Sequence, residues 1–203
     1  DASIVAVNPN PETFQPDLAD FEAKITAKTK ALIVNTPNNP TGVIYKPETM
    51  EQIAEILTRK EKEFGHDIYL VSDEPYRELV YDGNKEDFLT KYYKNTIVGY
   101  SFSKSLSLPG ERIGYVVVPD EAADAELLLM GLEISNRVLG FVNAPSLQQK
   151  AVAACLEEKT DVVFYDENRK KIRDEKDEEQ NLKLKEERNI LKNFRKQLKE
   201  KSR

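Results

Sequence analysis

At 203 residues the chain is long enough for one domain with a sizeable core. A net charge of −6 and a sequence pI of about 5.1 give no basic footprint for nucleic acid, and no apolar run approaches a membrane span. One cysteine, Cys155, excludes an intrachain disulfide; one histidine, His66, argues against a His-based metal cluster, and a Ser-His-Asp hydrolase would have to use that His66 with no GxSxG elbow to pair with it.

Residues 3–7, SIVAV, read as a short strand followed by the turn NPNPET. Residues 17–26 read as a helix, because Leu18, Phe21 and Ile25 recur on one face. Residues 32–34 form the next strand and run into NTPNNPTG. The strongest helical signal spans residues 47–64: Pro47 suits a first turn, Gly65 suits a stop, and Met50, Ile53, Ile56 and Leu57 make the buried stripe. His66 then falls in a helix-to-strand turn, FGHD, as a surface loop histidine.

A strand at 68–71 leads to VSDEPY, a connecting region runs through residue 93, and a strand at 96–100 precedes Lys104. Residues 113–118 form another strand, stopped by Pro119. A long helix follows, with a break expected at Gly131, and a further helix runs from 145 to about 159. Strands alternating with helices predict an α/β fold with a doubly wound, mostly parallel sheet.

Residues 166–203 differ in composition. They carry 14 Lys+Arg and 10 Asp+Glu, net +4, against net −10 for residues 1–165, and contain no Gly or Pro. Ile190, Leu191, Phe194 and Leu198 fall at helical spacing, which reads as a charged, solvated helix. The expected organisation is therefore a catalytic-type domain over 1–165 and a charged helical tail over 166–203.

The chemistry concentrates in SFSKSLSLPGERIGY, residues 101–115. Lys104 follows a buried strand, with serine hydroxyls beside it and Arg112 nearby. A lysine so placed can condense with an aldehyde once partial desolvation and cationic neighbours favour its neutral form. Hydroxyls and a guanidinium can hold a phosphate dianion. The two upstream motifs likewise follow apolar runs, at the strand ends where open α/β sheets bind ligands.

NNPTG, SDEPY and SFSK…GERIGY, in this order and spacing, resemble the class I/II (aspartate-aminotransferase-like) fold-type I pyridoxal-phosphate (PLP) aminotransferases over residues 1 to about 168. The resemblance implies that Lys104 forms the internal aldimine and then acts as general base. It implies that Asp73 pairs with the pyridine nitrogen, and that Tyr76 and Asn39 bond the 3'-oxygen. Ser101, Ser103 and Arg112 would hold the phosphate, and Asn143 in FVNAP would approach a neighbouring subunit's phosphate site.

The implied reaction passes an amino group between an amino acid and a 2-oxo acid, in a cytoplasmic homodimer with no nucleic-acid or membrane partner. A C–S β-lyase uses the same constellation, and a non-catalytic cofactor-binding remnant is the other alternative. Against the family pattern the chain lacks the upstream phosphate-cupping turn, the ring-stacking aromatic, and the downstream arginine for the substrate carboxylate. A piece of the large domain, truncated at both ends, is the expectation.

Overall fold

Pro47 opens and Gly65 closes α2 (Pro47–Phe64), the longest helix among the described residues, with Gly65 in the left-handed conformation at φ 71° and its N–H bonded to the Glu61 carbonyl. The computed structural model describes residues 2–156, 167–171, 173–176 and 179. Ahead of α2, Asp17 caps α1 (Leu18–Lys24) by accepting from the N–H groups of Ala19 and Asp20.

The sheet has the order β1 (Ala31–Asn35), β2 (Tyr69–Asp73), β3 (Thr96–Ser101), β4 (Gly114–Val117). The first three strands are parallel and β4 is antiparallel to β3. A single helical turn, α3 (Phe102–Ser105), follows β3, and α4 (Ala125–Val138) and α5 (Ser146–Cys155) follow β4.

The main core lies on one face of the sheet. Phe21 and Ile25 from α1 and Met50, Ile53, Ile56 and Leu57 from α2 pack with Val34, Ile68 and Leu70 of the sheet region. Each large aliphatic buried there contributes about 1.5–3 kcal/mol relative to exposure in water. At the amino ends of the strands, Asn95 binds Glu61 and receives the Ala123 N–H, while the Tyr93 hydroxyl donates to the Ile68 carbonyl. These bonds satisfy polar groups that burial would otherwise penalise.

The core elements match the expected rhythm, and three details differ. Residues 3–7 form no strand: among the described residues they have no ladder partner, and Ile4 and Val5 are exposed. A strand needs a neighbour for its N–H and C=O groups, so a short apolar run alone does not make one. The helix around Gly131 is unbroken, because a single glycine costs only about 1 kcal/mol and keeps its backbone bonds. That helix also starts later, at Ala125, after a turn in which the Ala122 N–H bonds the Pro119 carbonyl.

His66 sits in the α2–β2 turn, half-buried rather than loose, with both ring nitrogens on backbone carbonyls of Asp67 and Ala27. Among the described residues no helix is long and apolar enough to cross a membrane. Contacts divide the chain into two units, Asp1–Thr160 and Asp161–Arg203. In the second, the described residues between 167 and 179 are helical. The apolar set at Ile190, Leu191, Phe194 and Leu198 lies outside the described residues.

Candidate active site

Asn35 and Asp73 end β1 and β2 in register, and Asp73 is paired in turn with Gly99 of β3. Ser101, the last residue of β3, pairs with Gly114. Side chains alternate along a strand, so Asn35, Asp73 and Ser101 project from one face, opposite the face that carries Val34, Leu70 and Val98 into the core. Gly99 and Gly114 lie on that same face, which also carries the exposed side chains of Ile33 and, opposite Gly99 on β4, Val116. Polar groups thus gather where the strands end, the position at which α/β sheets bind ligands.

Asp73 is held by a residue absent from the motif reading. The Asn35 Nδ2 donates to Asp73 Oδ2 at 3.1 Å and to the Asp73 carbonyl at 3.1 Å. Its Oδ1 accepts the backbone N–H of Asn39 at 2.8 Å. Asp73 is exposed at the strand end, yet partial desolvation there raises its pKa above the ordinary carboxylate value, and the Asn35 amide acts in the opposite direction. The only signal for Asn35 in the sequence is its place as the first polar residue after the apolar run ALIV.

Lys104 lies on α3, exposed, with Nζ 5.4 Å from the ring centroid of Tyr76 in the loop after β2. Ser101 caps this turn: its Oγ accepts the Ser103 N–H at 3.2 Å and donates to Ser103 Oγ at 2.7 Å. Below, Tyr100 is wedged between Phe102 and Tyr115, in edge and stacked contact at 5.3 and 4.9 Å. Its hydroxyl bonds Glu78 Oε2 at 2.8 Å and Ser105 Oγ at 2.6 Å, which ties β3, α3 and the loop after β2 together. Burial pushes the Tyr100 hydroxyl pKa up, so it remains a neutral donor.

The loop bearing Tyr76 rests on a buried ion pair. Glu74 is almost wholly buried; it accepts from Ser72 Oγ at 2.6 Å, from Arg77 Nε at 2.8 Å and from Arg77 Nη2. The Arg77 guanidinium also stacks 3.8 Å over Phe88 and donates to the carbonyls of Glu86 and Asp87. At the root of the 35–42 loop, the buried Thr36 hydroxyl donates to Glu86 Oε1 at 3.1 Å and accepts the Tyr45 N–H.

Lys104 and Tyr76 are therefore brought together, as are Ser101 with Ser103 and Asp73 with the Asn39 backbone. Asn39 itself is exposed and reaches the cluster through its N–H. Arg112 is exposed at the same end of the sheet in a left-handed conformation, φ 50°, with its Nη1 donating to the Pro109 carbonyl at 2.9 Å. Asn143 is exposed in the segment before α5. Two hollows, of about 380 and 580 Å³, lie elsewhere, between residues 42–50 and 84–92 and around residues 58–67 and 92–94. The site residues line an open face.

The parallel-dominant sheet, with an amine, a carboxyl, hydroxyls and a guanidinium near one end of its strands, is that of a partial α/β large domain. The chain belongs to the family described as aminotransferase class I and II, whose family model matches residues 1–199 and so extends well past residue 168, where the motif resemblance ends. A probable aspartate/prephenate aminotransferase of Aquifex aeolicus is 38% identical over 127 residues, covering 61% of this chain and 31% of the relative. Its counterpart in Thermus aquaticus is 42% identical, covering 53% of this chain and 27% of the relative.

A crystal structure of an amino transferase from Eubacterium rectale is similar with a TM-score of 0.76 and 50% identity, over 81% of this chain and 41% of that one. An aspartate aminotransferase mutant of Thermus thermophilus gives a TM-score of 0.64 and 32% identity, over 76% of this chain and 39% of that one. The chain spans about a third of the length of the curated relatives it matches.

Proposed function

We propose that this chain supplies part of a PLP-dependent site for moving an amino group between an amino acid and a 2-oxo acid. The observation that carries the reading is the presentation of Asp73, Lys104 and Ser101 at neighbouring strand ends, with Asp73 partly desolvated and held by Asn35. The donor set fits the group: a carboxyl for a ring nitrogen, an exposed amine for an aldehyde, and paired hydroxyls with a guanidinium for a phosphate dianion. Gly99, in register with Asp73, places no side chain beside that carboxyl.

When bound, PLP supplies an electron-withdrawing ring that takes up the electron pair released at the substrate α-carbon. Asp73 would hold the proton on the ring nitrogen through its carboxylate. The Tyr76 hydroxyl and the Asn39 side chain would donate to the phenolic oxygen. Ser101, Ser103 and Arg112 would clamp the phosphate, with Arg112 giving up its bond to the Pro109 carbonyl. Lys104 Nζ would act as general base, moving a proton from the substrate α-carbon to the cofactor's C4' carbon and in the opposite direction when the 2-oxo acid takes up the amino group. The likeness to aminotransferases supports amino-group transfer between small molecules at that general level; a cytoplasmic homodimer with neither nucleic acid nor membrane as partner is part of the proposal.

The test is a titration of the purified chain with PLP. A visible absorbance band that disappears in Lys104→Ala supports the reading; the same spectrum from both proteins overturns it. Addition of an amino acid to the loaded chain, with assay for the 2-oxo acid, then reads transfer itself.

A further inference from the structure

We infer that Asn35 is a positioning residue of this site, its single carboxamide locking the backbone of the Asn39 loop to the carboxyl of Asp73. The inference rests on the PLP reading only for its consequence, since the lock itself is a property of the chain's own residues.

The orientation of the amide is fixed by its partners. Asn39 N–H can only donate, so the atom it meets at 2.8 Å must be Oδ1; the two Asp73 oxygens at 3.1 Å can then only meet the NH₂ group. Reversal would set donor against donor and oxygen against carboxylate. The strand places Asn35 in register with Asp73, so the short side chain spans from one strand end to the next without a long entropic reach.

The rest of the loop is tied mostly to itself. The Asn38 N–H bonds the Val43 carbonyl, Gly42 N–H bonds the Asn38 carbonyl at 2.7 Å, and Thr41 donates twice to Asn38 Oδ1. Asn38 Nδ2 reaches back to the Asn35 carbonyl at 3.3 Å. The Asn39 N–H is the loop's link to Asp73, and Asn35 carries it. Burial and the Asn35 amide are the two influences on the Asp73 carboxyl, and they oppose one another. The same side chain that aims Asp73 therefore also favours its charged form, the form able to pair with a protonated ring nitrogen.

Two variants separate the two halves of the lock. Asn35→Ala removes both contacts. Asn35→Asp, nearly the same shape, keeps an oxygen for the Asn39 N–H but sets a second carboxylate against Asp73. Carboxyl-carbon NMR titration of Asp73 and amide exchange of Asn39 are read on the chain without cofactor, and PLP binding is read separately. In Asn35→Ala the Asp73 midpoint should move to higher pH and Asn39 exchange should quicken on the order of tenfold. In Asn35→Asp the midpoint should move further up while Asn39 stays protected.

Unchanged midpoint and exchange in both variants overturns the inference, whatever the cofactor does. Unaltered PLP affinity in both variants overturns its consequence for the site. If the NMR changes appear but wild-type chain binds no PLP in a Lys104-dependent way, the cofactor reading fails and the lock stands.

Discussion

Lys104 Nζ lies 5.4 Å from the centre of the Tyr76 ring, a cation–π distance that links the loop after β2 to the helical turn after β3. The pair joins residues 28 positions apart through one side-chain contact, and its two members have separable parts in the proposed site. Lys104→Ala should abolish the visible band that PLP develops with the chain. Tyr76→Phe keeps the ring and loses one hydrogen bond, so binding should weaken by no more than about tenfold. Absorbance titration of the two variants against wild type measures both effects.

Arg77 and Glu74 form the buried pair beneath the Tyr76 loop, with side chains 12% and 1% exposed. Removing one partner strands the other charge in the interior. Arg77→Met should therefore cost about 3–5 kcal/mol, and Glu74→Gln added to it should restore part of the loss. Urea unfolding of the single and double variants gives the coupling.

Glu86 is the carboxyl that burial raises furthest, from its ordinary 4.5 to about 7, with the Thr36 hydroxyl and Arg77 opposing the shift. One of its oxygens, Oε2, is buried without a partner. The folded chain holds this proton after the unfolded chain has released it. The contribution to stability is complete below pH 4.5 and is lost as pH rises through about 7. Glu86→Gln should flatten that part of the profile and stabilise the chain above pH 7 by about 1–2 kcal/mol, after allowance for screening on the side chain's solvent-facing part. Thermal melts of both proteins between pH 4 and 8 would show equal slopes if the carboxyl were not the cause.

Gly114 faces Ser101 across the β3–β4 ladder, and a Cβ added there would meet the Tyr100 carbonyl oxygen at 2.2 Å. The obstruction is backbone, so no side-chain rotation relieves it. Gly114→Ala should cost about 1–3 kcal/mol and disturb Ser101 and the turn that carries Lys104. Denaturant midpoints, with amide exchange along β3, would register both.

The elements that sequence reading locates well are those with local stops and a strong stripe. Pro47, Gly65 and the Met50–Ile53–Leu57 spacing mark α2 without reference to anything distant. Asp73, Lys104 and Ser101 were legible because each follows an apolar run that becomes a strand, which fixes them at one end of the sheet. Asn35, Glu74 and Arg77 were not. The role of Asn35 comes from a partner on another strand, and that of the Glu74–Arg77 pair from its burial; an asparagine at a strand end or a Glu three residues before an Arg is ordinary in any sequence. The strand expected at residues 3–7 failed for the same reason in reverse, since its apolar run was local but its partner would have to be remote.

The left-handed backbone of Arg112 sets two quantities against each other. A branched-at-Cα residue at φ 50° carries a steric penalty of about 1–2 kcal/mol that glycine escapes. Arg112→Gly should thus melt higher while holding phosphate less well, and an engineer who optimises this chain for heat tolerance alone would erase the guanidinium proposed to grip that phosphate.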